Sequence, residues 1–117
     1  MTTAIFELPL SPTINSYYGL HGHRRFMTEK GKQFKKEVAH IVNQQQIKFG
    51  KSLVAMTITI HFRDRRIQDL SNRIKALEDA LVQAGLMDDD SQIKEIHVYE
   101  GQIIKGGKMI VEISSLS

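Results

Sequence analysis

The chain has 117 residues, 41% apolar and 25% charged, which suits a single globular domain over residues 1–117 and leaves no room for two sizeable cores. It has no cysteine, which excludes disulfide frameworks, thiolate metal sites and thiol catalysis and leaves only oxygen or imidazole ligands for any metal. The formal charge of +3 is mildly basic, no segment nears the roughly 18 apolar residues of a membrane span, and Met1 to Leu10 lack a secretory layout, so a cytoplasmic protein without a membrane partner is expected.

In chain order, Ile5 to Leu10 sets Phe6, Leu8 and Leu10 against Glu7, a short strand that Pro9 confines to an edge or an ending. Ser11 to Phe26 holds Pro12, Asn15, Gly19 and Gly22 without periodicity and reads as a long, mobile loop. A helix follows, with Thr28 as N-cap, Glu29 in its first turn and Phe34, Val38, Ile41 and Val42 at helical spacing, fraying near Gln46 to Gly50. From Leu53 to Phe62 the alternation is clean: Val54, Met56, Ile58, Ile60 and Phe62 lie on one face, Thr57, Thr59 and His61 on the other. A second helix is expected from Ser71 to Ala84, ended by Gly85, with Ile74, Leu77, Leu81 and Ala84 as its buried stripe. Two last strands, Ile93 to Glu100 and Lys108 to Ile113, flank Gly101 to Gly107, where Gly106-Gly107 suits a tight turn. The order β-α-β-α-β-β predicts a compact α+β fold with helices packed on one face of a mixed sheet.

Charge is unevenly placed. Between His21 and Lys36 lie Arg24, Arg25, Lys30, Lys32, Lys35 and Lys36 against Glu29 alone, and Arg63, Arg65 and Arg66 run directly into an acidic segment. Cations beside carboxylates suit a phosphodiester substrate, the cations receiving the backbone and the carboxylates holding a metal. Arg24, Arg25, Lys30, Lys32, Arg65 and Arg66 are the candidate phosphate contacts, while Lys35 and Lys36 serve a solvated helix face equally well. Tyr17 and Tyr18 suit stacking on unpaired bases, or packing beneath their own loop. His21 and His23 read as phosphate donors or solvent-facing residues, and His40, His61 and His97 as structural.

The acidic positions are Asp69, between the long strand and the second helix, and Asp88, Asp89 and Asp90, between that helix and the next strand. If those two strands are neighbours, the helix returns the chain so that the acidic groups converge, although a helix of this length also separates its ends. Three successive aspartates repel one another, and either a bound cation or an open solvated turn relieves that repulsion. Lys75 shares a helix face with Ser71, Glu78 and Val82 and points toward the Asp69 end, where a cation meets a phosphate.

The segment D-L-S-N-R-I-K (Asp69–Lys75), then A-L-E-D-A-L and A-G-L-M-D-D-D-S-Q-I (to Ile93), together with P-x-x-N-x-Y-Y at Pro12 to Tyr18, resembles the RusA family of Holliday junction resolvases over nearly the whole chain. The resemblance implies a homodimeric, magnesium-dependent endonuclease that acts on four-way DNA junctions without a nucleotide cofactor, manganese being the alternative metal. It places metal-binding aspartates on Asp69 and Asp90 and the catalytic lysine on Lys75. Ser71 stands where family members often carry aspartate, which removes one charge from the cage and weakens cation binding or shifts the load to Asp89, Asn72 or water. Ser71 is also a natural N-cap for the second helix. A branched-DNA-binding protein that does not cut is the alternative expectation. An α+β RNA-binding module is disfavoured because the long strand shows only threonines and His61 opposite its apolar face.

Overall fold

The computed structural model describes residues 2–116. In chain order its elements are β1 (Thr3–Leu8), the single-turn helix α1 (Ile14–Tyr17), β2 (Tyr18–His21), β3 (Arg24–Met27), α2 (Glu29–Gln45), β4 (Val54–His61), α3 (Ser71–Gln83), a 3-10 turn at Asp90–Gln92, β5 (Ile93–Glu100) and β6 (Lys108–Ser115). Four strands form one mixed sheet in the order β1-β6-β4-β5: β1 and β4 pair antiparallel with β6, and β4 pairs parallel with β5. A parallel pair needs a long crossover, and α3 lies within it. The strands flanking α3 are therefore neighbours, which is the condition for the two acidic segments to approach each other.

Alternation in the sequence decides which sheet face is buried. Val54, Met56, Ile58 and Ile60 of β4, Ala4, Phe6 and Leu8 of β1, and Met109, Val111 and Ile113 of β6 lie in one core with Phe34, Val38 and Val42 of α2 and Ala76, Leu77, Ala80 and Leu81 of α3. Each large side chain so buried stabilises the fold by about 1.5–3 kcal/mol relative to exposure. Ile41 and Ile74, both expected in apolar stripes, lie only partly buried at its margin.

The ends of the long helices follow local chemistry. Thr28 Oγ1 accepts from Gly31 N at 3.0 Å, capping α2, and Gln46 closes it in a left-handed conformation (φ 56°). After α3, Gly85 (φ +83°) donates its N–H to Val82 O at 2.9 Å and Leu86 donates to Leu81 O at 3.1 Å, the paired bonds of a Schellman ending. Gly106 and Gly107, both at positive φ, make the turn that Gly107 N closes onto Ile104 O at 2.8 Å.

The expected order β-α-β-α-β-β needs correction, because Ser11 to Phe26 is not a plain loop. It contains α1, capped by Thr13 accepting from Ser16 N, and the antiparallel pair β2–β3 turning at Gly22 (φ +63°). Elements of four residues are too short to leave a periodic signal. The segment is also tied down: Thr28 N donates to Tyr17 O at 3.1 Å, and Gly31 of α2 lies against that carbonyl. Among the described residues no helix is long and apolar enough to cross a membrane.

Candidate active site

Asp69 ends the loop that follows β4. Its Oδ1 accepts from Ser71 N at 3.0 Å and from Ser71 Oγ at 2.8 Å, so the aspartate serves the free donors at the start of α3. The expectation that Ser71 caps the helix is thereby corrected: Leu70 occupies the cap position with no side-chain bond, and Ser71 is the first helical residue, donating to Asp69. Asp69 itself is exposed.

One turn along α3, Lys75 Nζ lies 2.5 Å from Asp90 Oδ2 and 3.0 Å from Asp79 Oδ1. The hydrogen bonds to Asp90 and then Asp79 hold its ammonium well above the ordinary value of 10.5, so Lys75 is a fixed cation at any working pH. The aspartate run is divided by local structure. Asp88 is exposed; Asp89 accepts from Ser91 N at 3.0 Å and receives a reciprocal cap from Gln92, whose Oε1 takes Asp89 N–H at 2.8 Å; Asp90 opens the 3-10 turn toward Lys75. Hydrogen bonding from Ser91 holds the Asp89 carboxyl below its ordinary value. The buried Gln92 amide donates to Gly50 O and Ser52 O at 2.8 Å each, fastening the acidic turn to the segment that leads into β4.

The second oxygen of Asp79 faces the β2–β3 hairpin. Tyr18 OH donates to Asp79 Oδ2 at 3.1 Å, Arg25 lies 3.9 Å from the same atom, and the Arg25 guanidinium sits 3.6 Å from the Tyr18 ring centroid. Gln83 Nε2 donates to Tyr18 OH at 3.3 Å, while Gln83 Oε1 takes the Tyr17 hydroxyl at 2.6 Å. Burial raises the Tyr18 phenol above its ordinary value. Tyr18, Arg25, Lys75, Asp79, Asp89 and Asp90 line one cleft of about 300 Å³. Beside them on α3, burial pushes the half-buried Glu78 carboxyl up, against the opposing pull of Lys75. Asp79 went unnoticed in the sequence, although its place four residues after Lys75 was a usable signal.

The other predicted DNA contacts divide. Tyr17 is fully buried and hydrogen-bonded to Gln83, so its assignment as a base-stacking residue is corrected: it packs beneath the loop, in edge contact with Tyr18 and Phe34. Arg24, Lys30 and Arg65 are exposed; Lys32 lies 3.5 Å from Glu29, and Arg66 pairs with Asp64 at 2.8 Å. The hairpin exposes apolar side chains that were not singled out, Leu20 and Phe26, the latter lying over Gly19 where a Cβ would sit 2.6 Å from the ring. Arg73 is buried, donating to Ser11 O and to Gln68 Oε1.

Among the described residues no three histidine, aspartate or glutamate side chains converge as a ready cation cage. Asp90 is held with Lys75, and Asp69 with Ser71 at the start of the same helix. The donors on offer, carboxylates of Asp69, Asp89 and Asp90 and the hydroxyl of Ser71, are hard oxygens that match magnesium or manganese in kind.

The profile of the Endodeoxyribonuclease RusA family matches residues 8–114. A crossover junction endodeoxyribonuclease of Enterobacteria phage HK97 is 33% identical over 112 residues, spanning 95% of this chain and 93% of its own. The crossover junction endodeoxyribonucleases of Escherichia coli strain K12 and of Enterobacteria phage 82 are each 32% identical over 117 residues, covering 99% of this chain and 98% of theirs.

Proposed function

The chain belongs to the RusA endodeoxyribonuclease family, and on that premise we propose that it is a structure-specific DNA endonuclease that resolves Holliday junctions by paired phosphodiester cleavage in recombination and repair. The observation that carries this is the ammonium of Lys75, fixed by Asp90 and Asp79 in a cleft that the basic β2–β3 hairpin flanks. A positive charge held at this position suits a reaction whose transition state gathers negative charge on phosphoryl oxygens.

Asp69 and Asp90 would hold the magnesium or manganese ion, with Asp89 and Ser71 as further oxygen donors, and the ion when bound supplies Lewis acidity and charge neutralisation at the phosphate. Lys75, whose ammonium the carboxylates of Asp90 and Asp79 favour, stabilises the extra charge on the phosphorus centre or on the leaving oxygen. Arg24, Arg25, Lys30, Lys32, Arg65 and Arg66 place the backbone of the strand, a sequence-independent contact. Tyr18, with Arg25 on its ring, lies where the strand enters the cleft. Two symmetrical nicks call for two sites, which an isologous homodimer supplies with the symmetry the junction itself adopts. Relatives from phages and Escherichia coli point to the cytoplasm of a bacterial or phage-infected cell.

A non-cleaving, branched-DNA-binding role is the second reading, favoured by Ser71, whose neutral hydroxyl removes a charge from the metal position. A labelled four-way junction incubated in magnesium separates the two. Paired nicks on opposite strands that vanish in Asp69→Asn, with junction binding kept, support cleavage. Binding without nicks in magnesium and in manganese supports the second reading.

A further inference from the structure

We infer that Asp79 is the positioning residue for Lys75, and that the β2–β3 hairpin holds Asp79 in place through the Tyr18 hydroxyl. This rests on Lys75 being the group that meets the scissile phosphate.

The lysine side chain is a flexible four-carbon stem bearing a compact charge, so its position must be imposed from outside. Asp90 and Asp79 impose it here, at 2.5 and 3.0 Å. They are not equivalent. Asp90 is also proposed to serve the divalent cation, whereas Asp79 sits on the same helix as Lys75, four residues on, so its contact persists whatever Asp90 engages.

Ordinary helix stabilisation is a poor account of Asp79. A lysine preceding its acidic partner by four residues is the weaker orientation of such pairs. Asp79 is also bound on its other oxygen, by Tyr18 OH at 3.1 Å with Arg25 at 3.9 Å, and its side chain is only 16% exposed. Tyr18 is held in turn by Gln83, which takes the hydroxyl of the buried Tyr17. Hydrogen bonds thus run unbroken from the core through Gln83, Tyr18 and Asp79 to the ammonium. A one-turn surface pair would need none of these supports.

The test compares wild type, Asp79→Asn, Tyr18→Phe, Lys75→Ala and the double variant Lys75→Ala/Asp79→Asn. It uses single-turnover cleavage of a labelled four-way junction in magnesium and junction binding without divalent cation. Asp79→Asn is expected to slow cleavage about 100-fold, the scale of a misplaced catalytic group, with affinity within about twofold of wild type. Tyr18→Phe, which removes only the hydroxyl and secures the test if Asp79→Asn folds poorly, slows it about tenfold. In the Lys75→Ala background Asp79→Asn adds nothing, because its effect passes through the lysine. Wild-type rates in both single variants, or a further slowing in the double variant, overturn the inference. A second readout needs neither metal nor DNA: in an Asp90→Asn background, where Asp79 is the carboxylate left to Lys75, the ¹⁵N-lysine ammonium resonance of Lys75 should be observable and be lost to fast solvent exchange when Asp79→Asn or Tyr18→Phe is added. An unchanged resonance in both overturns the inference. Failure of the functional reading looks different: wild type leaves the junction intact, or Lys75→Ala cuts at full rate, while the ammonium resonance still reports on Asp79.

Discussion

Replacing Gly31 by alanine tests how the fold builds the site from a distance. A Cβ there would stand 2.3 Å from Tyr17 O, 3.2 Å from Tyr17 C and 3.0 Å from Met27 Cγ, so α2 and the Tyr17 backbone must separate by about 1 Å to reach ordinary contact. That carbonyl accepts Thr28 N–H at 3.1 Å and Thr28 Oγ1 at 3.2 Å, and Thr28 is the N-cap of α2. Overpacking of this kind costs about 1–3 kcal/mol and loss of the cap about 1 kcal/mol, while alanine recovers about 1 kcal/mol of helix propensity. The net expectation is a destabilisation of about 1–3 kcal/mol, read as a lower urea midpoint with an unchanged slope. Because Tyr17 adjoins Tyr18, which holds Asp79, cleavage at a temperature where the variant is fully folded should fall as well. A Gly31→Ala protein as stable and as active as wild type would refute the coupling.

Lys75→Ala should keep junction affinity and lose about 10²–10³ in kcat, the cost of removing one preorganised electrostatic donor, and weakened binding with unchanged turnover at saturation would contradict its role. Its effect on stability should stay within about 1 kcal/mol, because the Lys75 side chain is half exposed and screened. Arg24→Ala should flatten the salt dependence of junction affinity by roughly one unit of slope on logarithmic axes, and an unaltered slope would remove Arg24 from the phosphate contacts. Glu78, raised by burial, favours folding in its protonated form, so its stabilising share is complete below the unfolded value of 4.5 and is lost as pH rises through the folded one. Glu78→Gln should therefore raise Tm at pH 8 and leave it little changed at pH 4, and an equal gain at both would refute the burial argument.

The long periodic elements were legible because burial imposes its own spacing: β4 alternates as its sequence does, and Thr28 and Gly85 mark the ends they were expected to mark. The hairpin β2–β3 was not legible, since four-residue strands held by Gly22 and by contacts to α2 leave no repeat to detect. At the site, Lys75 and the aspartate run were visible as residue types, but their pairing was not. On a helical wheel Lys75 points toward Asp69, yet its long side chain reaches Asp90 and Asp79. Tyr17 and Tyr18 look alike in sequence; the change from helix α1 to strand β2 between them sends one ring into the core and leaves the other in the cleft. Such choices belong to tertiary packing, which adjacency in the chain does not encode.

Asp69 and Asp90, separated by the whole of α3, are proposed to serve one divalent cation. Titrating manganese into wild type, Asp69→Asn and Asp90→Asn, with free ion followed by electron paramagnetic resonance, tests this without relying on catalysis. One ion per chain in wild type, lost alike in both variants, is the predicted result; binding that survives undiminished in either variant would contradict it.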